Sequence, residues 1–312
     1  MNTKNKIAIL GANSYISKDL IKNLINDNYS DLVLFSRNPI NLTNVLIKEN
    51  STSIRSLGYD QFLKEEYDII INFVGESDPS KLAIIGKDIF SITDYYDNLA
   101  LKSLKNNSKC KYIFISSGDA YGDVFNEPVN ETTQSKFDLN NLQPYEYYGA
   151  AKYLAETRHR NIEEYSIIDV RVFSYFSENI NLNGKFLLNE IITSVKNNSV
   201  FSTVKNNIWR DYIGPKDFFN FINILIKQAP TNISIDCYSK GPIDKNSMLS
   251  IMTQKYGLKI KELSYLEKEE KIDRKAYYFS LNKFANSFGY TPSLSSIELI
   301  VQEFEKILNI KL

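Results

Sequence analysis

Apolar positions along the chain alternate between short unbroken runs and stretches with helical spacing. Lys6 to Leu10 is an apolar run that stops at Gly11. Residues 14–27 follow with Ile16, Leu20, Ile21, Leu24 and Ile25 on one helical face. Leu32 to Phe35 is the next run, closed by Asn38-Pro39. A weaker strand signal lies around Ser53–Arg55, and Tyr67 to Val74 reads as a buried strand ending at Gly75. Asp78-Pro79 opens a helical stretch reaching about Asn107, with Pro79 suited to the first turn. Lys111 to Ser116 predicts another strand, Gln143-Pro144 a helix through about Arg160, and Ser166 to Phe173 a sixth strand. Strands apolar throughout and separated by helices specify a parallel sheet covered on both faces. The predicted fold class is α/β, a doubly wound parallel sheet.

The second half is more mixed. Gly184 to Asn197 and Pro215 to Gln228 read as helices, Ile233 to Tyr238 and Leu258 to Leu263 as strands, and Ser295 to Leu308 as an amphipathic helix. Lys261–Lys275 is charge-rich and predicts a solvated surface segment.

Composition narrows the chemistry. The 37 basic and 37 acidic side chains cancel, which argues against a nucleic-acid or acidic-membrane binder. A single His argues against His-based zinc sites and leaves His159 as the only imidazole base. Cys110 and Cys237 lie far apart without a CxxC, so neither a disulfide framework nor a thiolate metal site is expected. No apolar run approaches the ~20 residues that span a bilayer, and no secretory signal opens the chain, so the expected setting is the cytoplasm. Glycine numbers 12, where average usage would give roughly 22. A fold that leans on glycine loops must do so here with few of them.

Five motifs carry candidate chemistry. Gly11-Ala12-Asn13-Ser14-Tyr15-Ile16-Ser17 follows the first strand and opens a helix, where backbone amides and the helix N-terminus can meet a pyrophosphate. The bland alternative is a plain β-turn-α. Ser36-Arg37 ends the second strand, where a small residue and an Arg leave room for a 2′-phosphate and pair with it. Gly75 ends the fourth strand and would let the chain pass beneath a cofactor. Ser117, in Ser116-Ser117-Gly118-Asp119, would put a hydroxyl into the crevice at the end of the fifth strand. Tyr148-Gly149-Ala150-Ala151-Lys152 sets a phenol and an ammonium on one helix face, and a nearby cation should lower the phenol's pKa. Among 21 Tyr, only Tyr148 and Tyr212 have Lys four residues on, and the second match contains Gly214 and Pro215.

In this order the motifs resemble the extended short-chain dehydrogenase/reductase family of nucleotide-sugar epimerases, dehydratases and reductases, over nearly the whole chain. Val170-Arg171-Val172-Phe173-Ser174-Tyr175-Phe176, Arg210-Asp211-Tyr212-Ile213 and Phe288-Gly289-Tyr290-Thr291-Pro292 are similar to later landmarks of that family. Ser14 and Ser17 stand where the family carries glycines. The resemblance implies a Rossmann-type domain over residues 1–173, with a return segment at about 212–238. It also implies a smaller substrate-binding lobe from residues 174–211 and 239–312, placed where open sheets bind ligands.

By resemblance, Ser117, Tyr148 and Lys152 are catalytic, with Tyr148 the general acid–base and Lys152 on the nicotinamide ribose. Gly11, Ser14, Tyr15, Ile16, Ser36, Arg37, Gly75, Tyr148 and Lys152 surround the cofactor, and Ser14's hydroxyl is a candidate phosphate donor. Ser117, Gly118, Asp119, Tyr148 and Arg210 face the substrate, with Arg210 on its diphosphate. No metal is implied. Ser36-Arg37 favours NADP(H) over NAD. The family's dehydratases carry an acid at the position of Gly118, so dehydration is disfavoured. The resulting expectation is an NADPH-dependent reductase of a nucleoside-diphosphate 4-keto-6-deoxysugar. Alternatives are a nucleotide-sugar epimerase and a non-catalytic NADP-binding regulator. Family members often dimerise through the helices near 80–107 and 145–160. His159 and Cys110 read as structural and replaceable.

Overall fold

The computed structural model describes residues 5–39, 54–184, 186–263 and 275–309. β1 (Ile7–Leu10), α1 (Tyr15–Asn26), β2 (Leu32–Phe35), β3 (Ile54–Leu57) and β4 (Ile69–Asn72) come first. α2 (Pro79–Ile85), α3 (Asp88–Asn106), β5 (Lys111–Ser117), α4 (Tyr147–Arg160) and β6 (Ser166–Val172) complete the first half. The second half runs β7 (Ser174–Tyr175), α5 (Leu187–Lys196), β8 (Val200–Val204), β9 (Trp209–Arg210), β10 (Tyr212–Ile213), α6 (Pro215–Lys227) and β11 (Asn232–Cys237). It ends with β12 (Ile243–Asp244), α7 (Lys245–Tyr256), β13 (Lys259–Leu263), β14 (Tyr277–Tyr278) and α8 (Ser296–Leu308).

Seven strands form one parallel sheet in the order β11-β6-β5-β4-β1-β2-β3. The order reverses at β1, and its C-terminal edge is where such sheets bind ligands. Alternate residues of each strand face opposite sides. Ile7 and Ile9 join a cluster with Leu20, Leu24, Phe218 and Leu225 of α1 and α6. Ala8 and Leu10 join Ala100, Leu104, Tyr112 and Ala155 of α3, β5 and α4. A separate core built on Leu188, Ile191, Phe201, Met252, Ile300 and Phe304 holds the second half together. Lys111 ties sheet to helix, since its Nζ donates to the carbonyls of Leu225, Ile226 and Gln228 at the end of α6.

Two expectations change, and a third is met only in part by the described residues. The long helix predicted from Pro79 is two, because Gly86 adopts φ +54 and ends α2, its amide donating to Leu82 O. β8 was not predicted; its residues alternate exposed and buried, and it pairs in parallel with β13 outside the main sheet. Of the predicted surface segment, Lys261–Leu263 lies in β13, residues 264–274 lie outside the described residues, and Lys275 contacts Asp119. Ser53 is likewise outside them, and the third strand is β3. No helix among the described residues is long and apolar enough to cross a membrane.

Candidate active site

The turn after β1 is built on Gly11, whose φ is +73. A Cβ there would sit 3.0 Å from the backbone of Phe73 and Val74, so a side chain is excluded both by conformation and by space. Ser14 caps α1: its hydroxyl accepts from Ser17 N at 3.2 Å and donates to Ser17 Oγ at 2.9 Å. Ser17 is fully buried and its hydroxyl reaches the carbonyls of Gly11 and Ser14. The two serines thus bond to the turn itself, and the hydroxyl proposed from sequence as a phosphate donor is engaged as a helix cap. Tyr15 and Ile16 are the first two residues of α1, whose opening amides have no intrahelical acceptor.

One donor of the turn is taken by a residue the sequence reading missed. Gly11 N donates to Tyr59 Oη at 3.0 Å. The Tyr59 ring lies 4.6 Å from that of Tyr96 and 6.3 Å from that of Phe35. Burial pushes its phenol up to about 12, against the lowering effect of the Gly11 bond and of Arg37. Arg37 is exposed at the end of β2, and Ser36 beside it is buried. Ser36 Oγ has no partner among the described residues, although a buried hydroxyl ordinarily finds one.

Ser117, Tyr148, Lys152 and Gly75 come together at the ends of β4 and β5. Tyr148 and Lys152 sit one turn apart in α4. Gly149 allows that helix to dock, because a Cβ there would lie 2.3 Å from Asp119 O. A Cβ on Gly75 would be 3.4 Å from Lys152 Nζ and 3.9 Å from Tyr148 Cε2. Lys152 is 2% exposed; its Nζ donates to Ile115 O at 2.9 Å and lies 4.2 Å from the Phe114 ring centre. Burial lowers its pKa to about 8. Tyr148 does not follow the expectation of a lowered pKa. Burial raises it well above the ordinary phenol range, Asp119 and Glu76 add to the rise, and only the facing Ser117 hydroxyl opposes it. Lys152 is 5.8 Å from the phenol ring, too far to reverse this.

Behind these residues lies a buried polar network. Glu156, one turn beyond Lys152, accepts from Ser116 Oγ at 2.5 Å and pairs with Arg171 at 2.5 Å. His159, a further turn along, bridges Asp97 (2.9 Å) and Asp169 (2.6 Å) with both ring nitrogens. Asp97 also accepts from Tyr112 and pairs with Arg158. The network pins the helix carrying Tyr148 to the strand carrying Ser117. Sequence order hides it, since its members come from α3, β5, α4 and β6. The one readable signal was the line Tyr148, Lys152, Glu156 at intervals of four.

On the substrate side, Gly118 abuts Phe173 so closely that a Cβ would meet the ring at 2.5 Å. Asp119 pairs with Lys275 at 2.5 Å. Arg210 donates through Nη1 to the carbonyls of Trp209 and Lys275, and its guanidinium lies 5.8 Å from the Tyr278 ring. Tyr278, also missed, reaches Ser117 Oγ at 3.2 Å. No group of metal-ligating side chains occurs among the described residues.

Sheet order, a glycine turn at the switch point and a Ser–Tyr–Lys cluster at the strand ends define a Rossmann-type α/β protein. The chain belongs to the NAD dependent epimerase/dehydratase family, whose pattern matches residues 7–235. A search of curated proteins found no match. Among solved structures, the dTDP-glucose 4,6-dehydratase of Bacillus anthracis with NAD is similar in fold (TM-score 0.78, 13% identity, covering 98% of this chain and 97% of that one). So are the UDP-glucose 4-epimerase of Thermotoga maritima with UDP-glucose (0.78, 14%, 97% and 99%) and the UDP-N-acetylglucosamine 4-epimerase of Methanobrevibacter ruminantium (0.77, 16%, 98% and 99%).

Proposed function

We propose that the protein is an NADPH-dependent reductase of a nucleoside-diphosphate 4-keto-6-deoxysugar. The observation that carries the cofactor choice is the end of β2. No carboxylate follows the strand there to bind ribose hydroxyls; instead a buried hydroxyl without a partner among the described residues, Ser36 Oγ, lies beside the exposed cation Arg37. That pair suits the 2′-phosphate of NADP(H), with the phosphate completing Ser36 and pairing with Arg37. NADPH, when bound, supplies the hydride. The Gly11 turn, with Tyr15 and Ile16 at the start of α1, would hold its pyrophosphate, and Gly75 would leave room above Lys152.

The chain's own residues then do the rest. Ser117 hydrogen-bonds the keto oxygen, on which negative charge develops. Tyr148, kept protonated by its burial, gives that oxygen its proton. Lys152 would hold the nicotinamide ribose beside Tyr148 when the cofactor is bound. Arg210 and the lobe of residues 174–211 and 239–312 bind the diphosphate sugar, while residues 1–173 and about 212–238 hold the dinucleotide. Dehydration is disfavoured because an acid in place of Gly118 would collide with Phe173. Exposed Tyr95 of α3, with Tyr153 and Leu154 of α4, supplies the face of a homodimer. The setting we infer is cytoplasmic.

The test is a panel of nucleoside-diphosphate 4-keto-6-deoxysugars with NADPH oxidation as readout. The reading expects stoichiometric oxidation with at least one of them. The family's name supports a second reading, an epimerase, which would interconvert sugars with no net oxidation. Tight NADPH binding with neither reaction would return the regulator.

A further inference from the structure

The phenol of Tyr59 reaches across the end of the parallel sheet. Tyr59 follows β3, its hydroxyl accepts from the amide of Gly11 after β1, and β2 lies between those two strands. Register puts Ser36 in the gap that the phenol spans. Leu10 is paired with Phe35, and Phe35 with Leu57. Ala12 N donates to Phe35 O, and Ser36 N donates to Leu57 O at 3.3 Å. Tyr96 of α3 and Phe35 hold the Tyr59 ring, with centres 4.6 and 6.3 Å away, so its hydroxyl has a fixed place.

A phenol oxygen carries two lone pairs and one proton. Gly11 N uses a lone pair of Tyr59, and the proton has no acceptor among the described residues. Accepting that bond polarises the phenol and makes it a better donor. Ser36 Oγ, on a residue 3% exposed, also has no partner among them, and exposed Arg37 is next in sequence. Asp60, the carboxylate beside Tyr59, is exposed and accepts from Gln61 Nε2. The ends of β1, β2 and β3 therefore gather two hydroxyl donors and a guanidinium. A ribose hydroxyl would need an acceptor there, whereas the three oxygens of a phosphate dianion can take all three donors.

Resting on the NADP(H) reading of this loop, we propose that Tyr59 is a further ligand of the cofactor's 2′-phosphate, donating its phenolic proton to the anion that Ser36 and Arg37 also hold. The same oxygen accepts from Gly11, so the contact ties the 2′-phosphate to the turn that would carry the pyrophosphate. Selection of NADP(H) then depends on a residue after β3 as well as on the loop after β2.

The probes are adenosine 2′,5′-bisphosphate and adenosine 5′-phosphate, which differ only in the 2′-phosphate. Each is titrated calorimetrically into the full chain as wild type, Tyr59→Phe and Arg37→Ala. Tyr59→Phe keeps the ring against Tyr96 and Phe35 and removes only the hydroxyl. The expected result is a loss of about tenfold in affinity of the Phe variant for the bisphosphate, with the monophosphate held within about twofold. A merely structural role, through the unpaired Gly11 amide, would weaken both probes alike and overturns the proposal. Unchanged or tighter binding of the bisphosphate overturns it too, the second because the phenol would then obstruct the site. A wild type that binds both probes equally overturns the NADP(H) reading and this proposal with it. A preference for the bisphosphate that is lost in Arg37→Ala and kept in Tyr59→Phe overturns the role of Tyr59 alone.

Discussion

Replacing His159 with glutamine removes the titrating group between two buried carboxylates. His159 is fully buried, and its two ring nitrogens lie 2.9 and 2.6 Å from Asp97 and Asp169. Burial opposes its charge, but the two carboxylates outweigh burial and lift its pKa from 6.5 to about 9. A rise of that size corresponds to about 3 kcal/mol of stability. A raised pKa contributes fully below the unfolded value and is lost as pH climbs through the folded one. The window therefore runs from 6.5 to about 9. Buried Lys111 and Lys152, lowered to about 8, act in the opposite sense. Above that pH they shed protons that the unfolded chain keeps, so they add stability as pH rises. They are present in both proteins and largely cancel in the difference. Urea denaturation of wild type and His159→Gln across this range should show a stability difference that shrinks by about 3 kcal/mol from its acid to its alkaline end. A difference independent of pH would mean that His159 carries no charge in the folded protein. The sequence reading of His159 as structural fits this network; the further expectation that it is freely replaceable does not, since breaking a buried pair is costly.

Other consequences follow from the cofactor loop and the helix faces. Arg37→Ala should weaken NADPH by about tenfold or more and leave NADH nearly unchanged, read by fluorescence titration; equal losses would remove Arg37 from the 2′-phosphate. Ser14→Gly should lower stability by only a few tenths of a kcal/mol, because glycine is itself a tolerated cap, and should leave NADPH affinity nearly intact; a large affinity loss would make its hydroxyl a ligand contact after all. Leu154→Glu should convert a dimer to monomers in sedimentation analysis, and a monomeric wild type would contradict the proposed face.

The parallel sheet was legible because β1, β2, β4, β5 and β6 are buried on both sides, with β1 and β2 wholly apolar and apolar stretches at the centre of the others. β8 was not, since only Phe201 and Thr203 of its five residues are buried. The meeting of Ser117, Tyr148, Lys152 and Gly75 was readable from order and spacing, because Ser117 ends β5, Gly75 follows shortly after β4, and Tyr148 and Lys152 share a helix face. Tyr59 and Tyr278 were not. Each is one aromatic among many, and its significance comes from a contact made across about 48 or 161 positions of chain. The sign of the Tyr148 shift was misjudged for a related reason. Helical spacing shows that a cation is near, whereas burial and the carboxylates of Asp119 and Glu76 come from the fold.

The central claim is that Tyr148 delivers the proton in an NADPH-driven reduction of a keto sugar. Its most direct measurement pairs NADPH oxidation on a TDP-4-keto-6-deoxyhexose with NADPH binding, for wild type and Tyr148→Phe. The account predicts that the variant binds NADPH within about twofold of wild type and loses turnover by about a hundredfold or more. Turnover that survives the loss of the phenol would contradict it.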